Sequence, residues 1–132
     1  NRIPEFGSER GSVIVVLATD APMMSHQLKR LAKRAAIGIG RGGTPGGNNS
    51  GDIFIAFSTA NPQPMPQFAE ARQTFDALND EVFDPFYLAA VESVDEAVVN
   101  AMLAAEDVLT QRPRGHICKA ICPETLARLV CR

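Results

Sequence analysis

The amino-acid sequence predicts an α/β domain, and two kinds of pattern carry that prediction. Val13 to Leu17 and Ile53 to Phe57 are unbroken apolar runs rich in β-branched and aromatic residues, each reading as a strand buried on both faces. Around them apolar residues recur at helical spacing: Leu28, Leu31, Ala32 and Ala35 first, then Val91, Val94, Val98, Met102 and Ala105. A chain of 132 residues is long enough for one domain with a real core.

Taken in order, Asn1 to Arg10 reads as a polar tail. Its Glu5-Phe6 and Gly7-Ser8 are dipeptides that common cloning sites encode, so part of it reads as an expression remnant. Gly11-Ser12 opens the first strand, which Pro22 requires to end near Thr19 or Asp20. Ser25 is placed to cap the first helix, and Gly38 and Gly40 to end it. Lys29, Arg30, Lys33 and Arg34 form its other side, either a solvated or subunit-facing surface or a basic patch for a ligand.

A glycine- and asparagine-rich loop runs from Gly40 to Gly51, with Gly42, Gly43, Gly46, Gly47, Asn48 and Asn49 in it. It lacks the Gly-Lys-Ser/Thr of a phosphate-binding loop. After the second strand, Asn61-Pro62-Gln63-Pro64-Met65-Pro66 is a surface crossing, and Phe68, Ala71, Phe75 and Leu78 have helical spacing. Pro85 interrupts, and Tyr87 or Leu88 starts the long helix, with Glu92, Asp95 and Glu96 as a solvated face. His116 to Ile121 reads as a third strand and Pro123 as the first turn of a last helix carrying Leu126, Leu129 and Val130. Three strands make a sheet too small for a complete enzyme fold.

Composition narrows the function. A net charge of −2 gives no electrostatic case for nucleic acid or an anionic membrane. No apolar run approaches the roughly 20 residues that cross a bilayer. Three cysteines, Cys118, Cys122 and Cys131, are a poor disulfide framework and favour a reducing, cytoplasmic setting, with the periplasm as the alternative. With His116 they match no common zinc spacing, so neither a metal nor a cofactor is expected.

Gly-Ser before a strand is by itself only a turn entering a sheet. The surrounding text says more. Ser12 to Pro22 (SVIVVLATDAP), His26 to Ala35 (HQLKRLAKRA), Asn49 to Asn61 (NSGDIFIAFSTAN), Phe83 to Val94 (FDPFYLAAVESV) and Glu96 to Met102 (EAVVNAM) together resemble the DmpA/BapA group. These are the L-aminopeptidase/D-amino-acid esterases and β-aminopeptidases. The likeness covers Gly11 to about Asp107. It implies an αββα sandwich with Ntn-hydrolase-like layers, made from one precursor that cuts itself into an α subunit and a smaller β subunit. On that resemblance, residues 12–132 are the catalytic β-subunit region and residues 1–11 precede the cleavage site, Gly11-Ser12.

The resemblance further implies that Ser12 is the nucleophile and, after cleavage, the new N-terminus. The chemistry is economical: a serine hydroxyl needs a base, and a free α-amine has a pKa of about 7.7–8.0, near the working pH. Ser50 and Asp52 align with a Ser-x-acid pair that supports the nucleophile in the family; the acid is glutamate in some members. On the residues alone, Ser50-Gly51-Asp52 merely closes a glycine loop. Asn61 and Asn79 are either pocket lining or structural hydrogen-bonding residues, whereas His26 and His116 read as surface or structural positions.

The function so implied is an N-terminal-serine aminopeptidase that releases residues from small peptides, amides or esters. Its partners would be an α subunit from the same precursor and further αβ units in an oligomer, and it would be inactive without its α subunit. The alternatives are an acyltransferase of the ornithine acetyltransferase type, which uses a threonine nucleophile, a nucleotide-binding α/β module, or a non-catalytic interaction subunit.

Overall fold

In the computed structural model, which describes residues 11–64, 67, 71–112 and 114–130, β1 (Ile14–Thr19) and β2 (Ile53–Ser58) pair in parallel. Their register sets Ile14 opposite Ile53 and Thr19 opposite Ser58. The strand positions match the apolar runs, and β1 stops before Pro22 as expected. The polar tail before Gly11, Met65, Pro66, Phe68 and Cys131 lie outside the described residues.

The chain divides into two units, one reaching Val94 and the other beginning at Asp95. In the first, α1 (Ser25–Ala32) packs against β2, and α2 (Ala35–Arg41) follows after a two-residue break. At that break the Arg34 N–H bonds the Leu31 carbonyl, three residues back. The expected single helix is therefore two. Gly38 and Gly40 lie within α2 and do not end a helix. Gly38 is buried because α2 meets α3 (Asp84–Leu103) there: a Cβ on Gly38 would lie 2.7 Å from Val94 Cβ and 2.8 Å from the Val91 carbonyl oxygen. Ser25 is the first helical residue, not the cap; the Met24 N–H is met by Gln27 Oε1 at 2.8 Å.

The long helix starts earlier than Tyr87, because Pro85 sits in its first turn, where a missing N–H costs nothing. Its stripe is buried at Ala90, Val91 and Val94, half-buried at Val98 and Met102, while Ala105 lies beyond its end and is exposed. Residues 71–79, expected to be helical, form no helix. Local spacing lost to tertiary bonds: the Asn61 side chain takes both the N–H and the carbonyl of Asp76, and the Leu78 N–H bonds the Pro22 carbonyl. A short 3₁₀ turn, Asp80–Val82, then leads into α3, capped by Asn79.

The core of this unit is Met23, Leu31, Phe83 and Ala90, with Leu17, Ala56, Leu78 and Tyr87 among the side chains packed on it. Phe83 is the largest fully buried side chain. Gln27, also buried, donates to the Leu78 carbonyl and to Asp80, fastening α1 to the segment ahead of α3. Arg30 pairs with Asp80 at 2.8 Å, and the Arg34 guanidinium lies 4.1 Å from the Tyr87 ring centroid. Two of the four basic residues, Arg30 in α1 and Arg34 in the break after it, are thus spent on contacts inside the unit, neither a bare solvated face nor a ligand patch.

All of this covers one face of the β1/β2 pair. Val15, Leu17, Phe54 and Ala56 point to it and are half-buried. The opposite face carries Ile14, Val16, Ile53, Ile55 and Phe57, each 45–67% exposed. The reading of both runs as strands buried on both faces is corrected: within this chain each strand alternates between covered and bare.

The second unit holds the end of α3, β3 (Val108–Leu109), β4 (Ile117–Cys118) and α4 (Pro123–Val130). β4 is shorter than the strand expected from His116 to Ile121, and it pairs antiparallel with β3. The expected three-stranded sheet is therefore two separate two-stranded ones. β3 escapes sequence reading because two residues are too few for any period. Asp107 ties the hairpin through Lys119 and the Ala120 N–H, and those bonds, the lysine's first, hold its carboxyl below the usual range. α4 keeps its expected start at Pro123, with Leu126 buried and Leu129 exposed.

Candidate active site

Parallel pairing brings the starts of β1 and β2 to the same end of the sheet, and with them two segments 39 residues apart. The last rung of the backbone ladder at that end runs from the Ile53 N–H to the Val13 carbonyl, 3.0 Å. Beyond it side chains take over. The Val13 N–H donates to Asp52 Oδ1 at 3.1 Å. The Gly51 N–H donates to Ser12 Oγ at 2.9 Å. The Ser50 hydroxyl donates to the same Asp52 oxygen at 2.6 Å.

The result is a short polar cluster at the mouth of an apolar sheet. Ser12 is exposed, whereas Ser50 and Asp52 are half-buried. Asp52 bridges the two strands and lies against the peptide that follows Ser12, not against Ser12 itself. Ser50 bonds Asp52, and the bond to Ser12 comes from Gly51. A carboxylate oxygen that takes two donors at these distances is firmly placed, since charge-assisted hydrogen bonds are the stronger kind. Ser12 Oγ accepts one bond and keeps its own proton free for a base.

Asn61 and Asn79 are not part of this cluster. Both lie past the other end of the strands, where Asn61 braces Asp76 and Asn79 caps the 3₁₀ turn. Six residues of strand, about 20 Å, separate the two ends. Asp80, held below the usual carboxylate range chiefly by the Gln27 hydrogen bond and also by the Arg30 charge, belongs to that far end too. His26 and His116 are exposed. The contact that side-chain reading missed is the Gly51 N–H, because a backbone donor has no letter of its own; its place between Ser50 and Asp52 is the only signal.

Among the described residues, no three His, Cys, Asp or Glu side chains converge as metal ligands. Cys118 and Cys122 are exposed free thiols, and among the described residues no helix is long and apolar enough to cross a membrane.

The profile of peptidase family S58 matches residues 2–116. The β-peptidyl aminopeptidase BapA of Sphingosinicella microcystinivorans is 51% identical over 100 residues, 76% of this chain and 25% of that protein. BapA of Sphingosinicella xenopeptidilytica is 37% identical over 105 residues, again about a quarter of its length, 26%. Among solved structures, the L-aminopeptidase D-Ala-esterase/amidase of Ochrobactrum anthropi, described as a serine-aminopeptidase prototype and a variant of the Ntn-hydrolase fold, is 58% identical with a TM-score of 0.82. The match covers 92% of this chain and 34% of that one. A Burkholderia β-aminopeptidase matches with 35% identity and a TM-score of 0.81, over 92% of this chain and 35% of its own. The chain thus has the α/β architecture of the Ntn-hydrolase-like sandwich and spans about a third of the solved relatives.

Proposed function

This chain belongs to peptidase family S58, and from that premise we propose that it is the catalytic β-subunit portion of a self-processing serine aminopeptidase. The observation that carries the reading is the placement of Asp52, whose Oδ1 joins Ser50 to the Val13 N–H immediately after Ser12. It holds the strand start that carries the exposed Ser12, beside the backbone that cleavage would turn into an N-terminus.

In the precursor, Ser12 Oγ attacks the Gly11 carbonyl carbon. The Oγ–C bond forms, the C–N bond breaks, and the hydroxyl proton ends on the departing nitrogen. Water then opens the ester, leaving a Gly11 carboxylate and a Ser12 with free hydroxyl and amine. In turnover the Ser12 amine accepts the hydroxyl proton as Oγ attacks a substrate carbonyl, and it passes that proton to the leaving amine or alcohol. Water releases the acyl group and restores the serine. Asp52 holds the strand start and balances the charge on the protonated amine; Ser50 holds Asp52. Substrates are small peptides, amino-acid amides or esters. An α subunit from the same precursor supplies the rest of the site, and αβ units assemble further.

The test is the full precursor, followed by intact mass and N-terminal sequencing. Wild type is expected to yield a fragment starting at Ser12 with no protease added. Ser12→Ala stays uncut and inactive; Ser12→Cys still cuts, more slowly. A fragment starting at position 12 from Ser12→Ala, or aminopeptidase activity in it, removes Ser12 from the mechanism. Ser12→Thr keeps the hydroxyl but its added methyl restricts χ1, so it is expected to cut more slowly than wild type; cleavage and turnover at or above the wild-type rate would instead favour the threonine-dependent acyltransferase type.

A further inference from the structure

The ladder between β1 and β2 has a fixed register. The Thr59 N–H bonds the Thr19 carbonyl, and at the other end the Ile53 N–H bonds the Val13 carbonyl, both at 3.0 Å. In a parallel pair such rungs recur at every second residue. One rung further back in this register, the donor is the Gly51 N–H and the acceptor is the carbonyl of Gly11. That is the carbonyl at the junction where Ser12 would cut. The Gly51 N–H instead bonds Ser12 Oγ, 2.9 Å away.

One backbone donor therefore stands beside both reacting groups: it holds the hydroxyl oxygen now, and extending the register of β1 and β2 by one rung would bring it onto the Gly11 oxygen. We propose that the Gly51 N–H is the oxyanion donor of the self-cleavage step. It rests on the reading of Ser12 as the nucleophile and goes beyond it by assigning the group that meets the developing charge.

The sequence of events balances. Before attack, the Gly51 N–H orients Ser12 Oγ by occupying one lone pair and leaving the O–H free to give up its proton. As the Oγ–C bond forms, the π electrons of the Gly11 carbonyl move onto its oxygen, and Oγ loses its claim as an acceptor. The N–H shifts by the short distance between two oxygens that are now bonded to the same carbon, completing the missing rung. When the C–N bond breaks, the carbonyl re-forms, the nitrogen takes the proton, and the donor is left on the ester. Gly51 lies two residues ahead of β2, so the donor is already beside the reacting atoms and only that small shift is needed; donors in place before charge develops are the ones that act most strongly. Gly51 also suits the position sterically: a Cβ there would meet Ser12 Oγ at 3.6 Å, an ordinary contact, so the need is for the N–H and not for the absence of a side chain.

The N–H can be deleted alone by building the full precursor in cell-free translation with glycolic acid at position 51, so that an ester replaces the Ser50–Gly51 amide. Self-cleavage is expected to slow by about 10²–10³-fold, the usual cost of one oxyanion donor. Cleavage of the ester precursor at the wild-type rate overturns the proposal while leaving Ser12 as nucleophile. Cleavage of the Ser12→Ala precursor overturns the underlying reading instead. If the ester precursor does not fold, as judged by circular dichroism, the structure of the uncut Ser12→Ala precursor decides. The rung is expected there, with Gly51 N about 3 Å from the Gly11 oxygen; a Gly51 N–H bonded elsewhere refutes it.

Discussion

The packing at Gly38 makes a prediction whose sign can be worked out. Alanine is the better helix former by about 1 kcal/mol, so Gly→Ala inside a helix normally stabilises. At Gly38 the new methyl would sit 2.7 Å from Val94 Cβ, 2.8 Å from Val94 Cγ1 and 2.8 Å from the Val91 carbonyl oxygen. None of these atoms can swing away, because one is backbone and the others belong to a β-branched side chain held at χ1. α2 and α3 must separate, and overpacking of this kind costs about 1–3 kcal/mol. Since the contact is with backbone, the upper part of that range applies, and Gly38→Ala is expected to destabilise by about 1–2 kcal/mol after the propensity gain. Gly40, one step along the same helix, is exposed and has nothing within 4 Å of its ideal Cβ. Gly40→Ala should therefore stabilise, by about 0.5–1 kcal/mol. Chemical denaturation of the two variants beside the wild type, with tryptophan-free detection by far-UV circular dichroism, compares them directly. Equal or greater stability of Gly38→Ala than Gly40→Ala would refute the close α2–α3 approach.

Asp52→Asn should keep the fold but slow both precursor cleavage and turnover by about tenfold to a thousandfold; full activity in the purified variant would reduce Asp52 to a loop brace. Gln27→Leu should cost about 1–3 kcal/mol, since it strips partners from the Met24 N–H and the Leu78 carbonyl, and a denaturation midpoint unchanged from wild type would contradict that. Asp80 has a folded-state pKa below its unfolded value, so its contribution is complete above the unfolded value and is lost as pH falls through the folded one. The thermal midpoint should drop below about pH 4, and Asp80→Asn should flatten that part of the profile. Ile55→Glu places a charge on the bare apolar face and, on the proposed reading that an α subunit of the same precursor completes the molecule, should abolish co-purification of the two, read by size-exclusion chromatography.

The elements that sequence located well are those whose signal is local. Both long strands follow from unbroken apolar runs ended by proline or polar residues, and the α1 and α3 stripes from spacing that puts one side of a helix on the core. The misses have tertiary causes. Phe75 and Leu78 keep helical spacing, yet the backbone of Asp76 is claimed by Asn61 and that of Leu78 by Pro22, so no helix forms. Gly38 and Gly40 look like helix terminators; Gly38 is instead the residue that allows another helix to come close. An apolar run tells how much surface a strand must hide but not which chain hides it. Here one face is covered by this chain's helices and the other is bare.

The sequence by itself determined the α/β class, the positions of the two long strands and, through its resemblance, Ser12, Ser50 and Asp52 as candidates, because these depend on side-chain identity and short-range period. Only the tertiary structure decided that a parallel register sets Gly51 against Ser12 and Asp52 against Val13, and that Asn61 and Asn79 lie at the other end. The physical reason is that a hydrogen bond between residues 39 apart is fixed by how two strands align, and a shift of one residue would turn every side chain to the opposite face.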